Sequence, residues 1–287
     1  MRYQMNSKWR QVLAGCLFGA AMLGGFLPSV HAQARVLRDV AYGSDARQRL
    51  DVYLPARPTG PVLLMVHGGA WAFGDKAAAG VVRAKVRHWV DGLGYVLVST
   101  NYRLLPAAHP LEQAGDVARA LALVQQRAPE WGADPKQLVL MGHSAGAHLA
   151  MLLHASPALV AQAGAKPWRV TVSLDSAAMD VERLMRAPHP PLYDRAFGKD
   201  PAYWQSVSPY HQIAGSGAPA LLMVCSKLRD DDPCAQALHY EKKAAHFGHY
   251  ITIWEQRLSH GDINRQLGEP GMYTDQVTLW LNAALKP

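Results

Sequence analysis

The order of apolar and amphipathic stretches predicts an α/β protein: a mostly parallel sheet flanked on both faces by helices. Two observations carry that expectation. Short continuous apolar runs, such as Val62-Leu63-Leu64-Met65-Val66, alternate with stretches of helical period and length, and a strand buried on both faces reads as an unbroken apolar run. The second is the pentapeptide Gly142-His143-Ser144-Ala145-Gly146, standing between such a run and a helical stretch. A strand that turns sharply into a helix tolerates only small residues at the turn, and the side chain at its apex is pushed out above the sheet.

Each element follows in chain order. Val36 to Tyr53 holds two antiparallel strands, the second spanning Gln48 to Leu54. Pro61–Val66 is the first buried strand. A helix over about Ala77 to Leu93 leads to the strand Tyr95–Thr100, and a helix from about Leu111 to Gln126 leads to the strand Gln137–Met141 and the pentapeptide. Val170–Leu174, a sixth strand, precedes a long segment rich in Pro, aromatic and charged residues; residues 175–219 are too long for a simple connection and read as a short cap insertion over the active site in preference to a helix plus surface loop. The strand Ala220–Cys225, a helix over Cys234 to Phe247, the strand Tyr250–Trp254 and a last helix from Tyr273 to Leu285 complete the series. No internal repeat or linker divides it, so one domain over 35–287 is expected.

Composition narrows the function. The 287 residues are 49% apolar and 18% charged, as in an ordinary globular protein. The formal charge of +7 includes Arg2, Lys8 and Arg10 of the leader; without them it is about +4, too mild and dispersed to imply a nucleic-acid partner. Residues 1–34 have a basic start, an apolar stretch from Val12 to Val30 and small residues around Ala32 and Ala34. That pattern predicts a cleaved secretory signal peptide, hence a periplasmic or secreted protein without stable membrane insertion. An uncleaved anchor, or a lipoprotein at Leu13-Ala14-Gly15-Cys16, are the weaker readings. Cleavage leaves Cys225 and Cys234, and an even pair in an exported chain suggests a disulfide.

The chemistry-bearing residues are serine and histidine. Serine hydroxyl is a weak nucleophile at neutral pH and needs an adjacent base. Ser144 has the exposed apex, and His67-Gly68-Gly69-Ala70-Trp71, after an earlier buried strand, offers backbone N–H groups for an oxyanion. His246 and His249 lack a third ligand at sensible spacing, so no metal is expected. Asp51, Arg103, Asp116 and Asp134 read as structural.

These motifs, together with Gly74-Asp75-Lys76, Asn101-Tyr102-Arg103-Leu104, Ala133-Asp134-Pro135 and Ser259-His260-Gly261, resemble the α/β-hydrolase superfamily over essentially the whole mature chain. The resemblance is closest to small bacterial carboxylesterases related to hormone-sensitive lipase and to the feruloyl/acetyl-xylan esterase (BD-FAE-like) group. It implies a serine esterase acting on a small-molecule ester through an acyl-enzyme, with no cofactor. Ser144 is then the nucleophile, His260 the base, and Gly68, Gly69 and Ala145 the oxyanion donors. Most members of this fold carry the acid in the loop after the strand Ala220–Cys225, which offers Asp230, Asp231 and Asp232. Asp232 stands where a helix N-cap is expected, and the resemblance to exported esterases favours Asp231, with Asp230 and Asp175 as alternatives. The His-Gly-Gly-x-Trp form also resembles arylformamidases, so an amide hydrolase is the rival enzyme, and a binding protein on an inactive scaffold is the rival from another class. The sequence does not address oligomeric state.

Overall fold

A computed structural model describes residues 35–215 and 217–286; the signal-peptide reading of 1–34 lies outside them. Eight strands form one sheet in the order β1-β2-β4-β3-β5-β6-β7-β8. They are β1 Arg35–Ala41, β2 Arg49–Leu54, β3 Val62–Val66, β4 Val96–Thr100, β5 Leu138–His143, β6 Val170–Leu174, β7 Ala220–Ser226 and β8 Ile251–Gln256. β1 and β2 pair antiparallel, β2 joins β4 antiparallel, and all pairs from β4 to β8 are parallel.

Strand side chains alternate between faces, and here both faces are core. On β3, Val62, Leu64 and Val66 join one apolar cluster and Leu63 and Met65 the other; on β5, Leu138 and Leu140 face the first and Val139 and Met141 the second. The first cluster is covered by α2 (Pro110–Arg127), α3 (Ala145–Ala155) and α4 (Pro157–Gln162). The second is covered by α1 (Ala79–Lys85), which continues as a wider helical turn over Val86–Gly92, and by segments near the C-terminus. This double burial explains the unbroken apolar runs.

The stretch between β6 and β7 forms four short helices: α5 Val181–Arg186, α6 Pro191–Phe197, α7 Pro201–Ser206 and α8 Pro209–Gln212. Each opens with an N-terminal proline or an aspartate cap, residues suited to helix starts. Their aromatic residues Tyr193 and Phe197 are buried in the first cluster, so the segment packs onto the domain. After β7 come α9 (Pro233–Ala245), α10 (His260–Arg265) and α11 (Met272–Ala284). The short α10 was not expected from its sequence; its residues are too few to show a period, and its start rests on the Ser259 side chain accepting Asp262 N–H. No helix among the described residues is long and apolar enough to cross a membrane.

Candidate active site

The C-terminal ends of β3, β5, β6 and β7 and the loop after β8 converge on one cavity of about 580 Å³, lined by Gly68, Gly69, Trp71, Ser144, Ala145, Asp175, Tyr193, Arg229 and His260 among others. Carboxyl ends of parallel strands are where open α/β sheets bind ligands.

Ser144 follows β5 directly and has φ 56°, ψ −120°, a conformation that costs a non-glycine residue about 1–2 kcal/mol. The flanking glycines permit it. A Cβ on Gly142 would stand 2.2 Å from the Gly146 carbonyl oxygen, and one on Gly146 would stand 2.3 Å from the Val66 oxygen. The turn is further tied down because Ser144 N–H donates to Leu174 O at 2.9 Å. Its Oγ donates to His260 Nε2 at 2.9 Å.

His260 opens α10. Its Nδ1–H donates to Asp175 Oδ2 at 2.6 Å. Asp175, directly after β6, is fully buried and has φ 56°. Its other oxygen accepts Ser226 N–H at 2.7 Å. Burial alone pushes its carboxyl up, but the bonds from His260 and Ser226 and the Arg229 charge outweigh this and hold it below the ordinary carboxylate range.

The structure therefore brings Ser144 and His260 together, as expected, but does not bring Asp231 to them. Asp231 takes Arg229 instead, accepting Nε on Oδ1 at 2.8 Å and Nη2 on Oδ2. Asp232 is the α9 N-cap, accepting Ala235 N–H at 3.0 Å, and Asp230 has no hydrogen bond to His260. The carboxylate facing His260 is the alternative, Asp175. The available sequence signal was its place: an acid directly after a buried strand that neighbours the nucleophile strand. Nothing in the sequence around Arg229 marks it as part of the site.

The His67–Trp71 turn lies against the nucleophile: a Cβ on Gly68 would stand 2.9 Å from Ser144 Cβ. Ala70 and Trp71 both have positive φ, 50° and 58°, and this strain is held by packing. Trp71 is 3% exposed and meets Phe197 and Tyr193. Its carbonyl accepts Gln113 Nε2 and Leu105 N–H, both at 2.9 Å. Its Nε1–H donates to His148 Nδ1 at 3.2 Å while His148 Nε2–H donates to Val207 O at 2.7 Å. That pairing requires a neutral ring, and burial lowers His148 to about 4. His67 stacks on Tyr102 and lies with Nδ1 2.8 Å from Gly68 O, a structural place rather than one beside the serine. Ala145 begins α3, where first-turn N–H groups have no helical acceptor.

Behind the site, His143 Nε2–H donates to His260 O at 2.9 Å, and burial lowers this ring to about 3. Lys85 is buried and donates to Asn264 O and Oδ1 at 2.7 and 2.8 Å, anchoring α10; burial lowers it to about 7. Asp51 binds Lys76 and Arg38, and Asp116 binds Gln48, Arg103 and Arg119. These buried carboxylates are fully occupied with structural partners. Cys225 and Cys234 are bonded, with Cα atoms 5.2 Å apart, across the loop that carries Arg229 and the three aspartates.

The family model BD-FAE matches residues 50–233, from β2 through the nucleophile turn to the start of α9. The chain belongs to the BD-FAE family. Relatives of this BD-FAE member include a probable isoprenylcysteine alpha-carbonyl methylesterase of Oryza sativa subsp. japonica, 32% identical over 171 residues, covering 57% of this chain and 39% of the relative. The probable carboxylic ester hydrolase LipM of Mycobacterium tuberculosis is 33% identical over 202 residues, covering 64% and 46%. The chain thus spans less than half the length of these curated relatives. Among solved structures, esterase B from Lactobacillus Rhamnosis superposes with TM-score 0.71 at 21% identity, covering 89% of this chain and 87% of that one. A truncated carbohydrate esterase from gut microbiota gives 0.70 at 18%, covering 90% and 99%. At such identities the likeness speaks for the fold, which is the α/β-hydrolase fold.

Proposed function

We propose that this BD-FAE member is an exported serine hydrolase that cleaves carboxylic esters, with Ser144 as nucleophile, His260 as base and Asp175 as acid. The observation that carries this reading is the unbroken run Ser144 Oγ to His260 Nε2, 2.9 Å, and His260 Nδ1 to Asp175 Oδ2, 2.6 Å, opening on a cavity. That is the geometry nucleophile, base and orienting acid require. Ester hydrolases among the relatives support the substrate class.

Ser144 Oγ attacks the ester carbonyl as His260 Nε2 takes its proton. The imidazolium is stabilised by Asp175, and the oxyanion is received by backbone N–H groups of Gly68, Gly69 and Ala145. Each such donor contributes about 3 kcal/mol where it meets developing charge. His260 then protonates the departing alkoxide, and water, deprotonated by the same ring, releases the acyl group.

The test is turnover of a p-nitrophenyl ester against N-formylkynurenine, with labelling by a fluorophosphonate. Ester turnover with label on Ser144 is expected, both lost in Ser144→Ala. Preferred turnover of the formamide would favour the amide-hydrolase reading, and absence of label would favour an inactive scaffold. Export is supported by the leader pattern of residues 1–34 and by the disulfide. N-terminal sequencing of the exported protein is expected to begin at Gln33 or Arg35; an intact Met1 would overturn this.

A further inference from the structure

Arg229 occupies the stretch after β7 in which most members of this fold carry the acid, and both edges of its guanidinium are engaged. Nη1 lies 3.0 Å from Asp175 Oδ2 and 3.0 Å from the Asp175 carbonyl oxygen. Nε and Nη2 grip Asp231. Arginine's planar fork suits such two-sided use, where a lysine ammonium would reach one carboxylate at a time. Nη1 is also 3.0 Å from His260 Nδ1. That nitrogen has a single hydrogen, already given to Asp175, so the arginine cannot donate to it in the neutral tautomer. The approach is one of charge to ring.

We propose that Arg229 is a positioning residue for the triad, a strut that fixes Asp175 against His260 while opposing the imidazolium, and that the Cys225–Cys234 bond holds the strut in place. This rests on the hydrolase reading above. When His260 takes the serine proton, two cations share the Asp175 carboxylate. Arg229 therefore orients the acid and at the same time favours the neutral base. The charged and titratable groups facing His260 are few. Asp175 comes from the end of β6, Arg229 with Asp231 behind it from the loop after β7, and His143 from β5, its ring 4.7 Å away. Lys85 of α1 acts on His143, Tyr273 of α11 lies near Asp175, and Tyr193 of α6 lies near Arg229. Of these only Arg229 puts a full positive charge beside the imidazole.

The disulfide enters through topology. Cys225 is the penultimate residue of β7 and Cys234 lies in the first turn of α9; the bond closes the short loop from which Arg229 reaches Asp175. Cutting it leaves the strut on an open loop, with more conformations available to it.

The experiment measures kcat and KM for a p-nitrophenyl ester against pH in the disulfide-bonded enzyme. Variants are Arg229→Met, Arg229→Lys, Asp231→Asn, Lys227→Met and the pair Cys225→Ser with Cys234→Ser. Arg229→Met is expected to lose kcat by on the order of ten- to a hundredfold, the scale of a misplacement of about 1 Å, with KM little changed. Its acidic limb should move to higher pH, since the opposing charge is gone. Arg229→Lys should keep the limb near its place while recovering only part of kcat, and Asp231→Asn should fall between it and the parent. Lys227→Met, which removes only the exposed pair with Glu255, should match the parent. In the cysteine pair variant, kcat should drop and Arg229→Met should add little further. Parent-like kcat and limb in Arg229→Met overturn the proposal, as does a kcat loss with the limb unmoved, which would make Arg229 scaffold only. An Arg229→Met effect undiminished in the cysteine background overturns the role of the disulfide. If Ser144→Ala and Asp175→Asn retain turnover, the hydrolase reading itself fails; if they collapse while Arg229→Met does not, the strut alone fails.

Discussion

The nucleophile end and the acid end of this site are joined through one imidazole, yet they are held by different means. Ser144 is held by its own neighbours: Gly142 and Gly146 leave room for the turn, and the next residue starts a helix. Asp175 is held by residues distant in sequence, with Ser226, Arg229 and His260 converging on it from fifty or more positions away. A local backbone demand writes itself into adjacent residues. A carboxylate that need only arrive in the right place can come from any loop at the same edge of the sheet, because orienting an imidazole asks for position and charge alone.

The largest expected effect separates the two aspartates. Asp175→Asn should lower kcat by on the order of 10⁴-fold, since an amide leaves the imidazole in the wrong tautomer. Asp231→Asn should lose about tenfold or less, acting only through Arg229. Steady-state kinetics of the two purified variants decide it, and a collapse of Asp231→Asn with Asp175→Asn near the parent would return the acid to the loop after β7.

The same contrast accounts for what was legible beforehand. The sheet, its parallel core and the long helices were visible because two-faced burial imposes apolar runs and helical packing imposes a 3.6-residue period. β3, β5 and α2 lie within a residue or two of where the sequence puts them. Ser144 and His260 were legible by motif and by chain order. The sequence favours Asp231 over Asp175 because most members of this fold carry the acid in the loop after the strand Ala220–Cys225, where the aspartates cluster, and because of the resemblance to exported esterases. What the cluster does is visible only in three dimensions: Asp232 caps a helix, and Asp231 holds an arginine that carries no motif. α10 was missed because six residues cannot display a period.

A smaller effect sharpens the local side of the comparison. Gly146→Ala would drive a methyl to within 2.3 Å of Val66 O, where backbone on both sides must shift. Gly164, with φ 73°, has nothing within 4 Å of a built Cβ, so Gly164→Ala meets only the left-handed penalty of about 1–2 kcal/mol. Thermal unfolding should place Gly146→Ala about 3 kcal/mol below the parent, the upper end of what overpacking costs, with ester turnover lost as the elbow opens. A loss in Gly146→Ala no larger than that in Gly164→Ala would mean that the backbone yields cheaply at the elbow, and that the approach of β3 does not set the glycine requirement.

The effect that is smallest near neutral pH concerns α3 beyond the elbow, where a buried histidine serves packing and not chemistry. His154 is 3% exposed. Its Nδ1 accepts the Thr171 hydroxyl at 3.1 Å, while Thr171 Oγ1 accepts Trp168 Nε1–H at 2.9 Å, and its Nε2 has no partner. Burial, aided by the nearby His249, lowers the ring to about 3 from an ordinary 6.5. Because the folded pKa is depressed, the neutral ring leaves stability intact above about pH 6.5. As pH falls below that value the unfolded chain takes a proton that the folded chain refuses, and stability is lost down to about pH 3. One such group contributes a slope of about 1.4 kcal/mol per pH unit within the window. His154→Asn keeps an acceptor near the Nδ1 position and cannot titrate. It should lower stability at pH 7 through the space it leaves, yet flatten the dependence between pH 6 and pH 4 by about that slope. Urea unfolding at pH 7, 6, 5 and 4 in parent and variant measures both. Parallel curves would show that His154 does not titrate with folding, and the acid sensitivity would then fall to His143 and His148 at the site itself, tying stability in acid to the elbow and to the Trp71 turn.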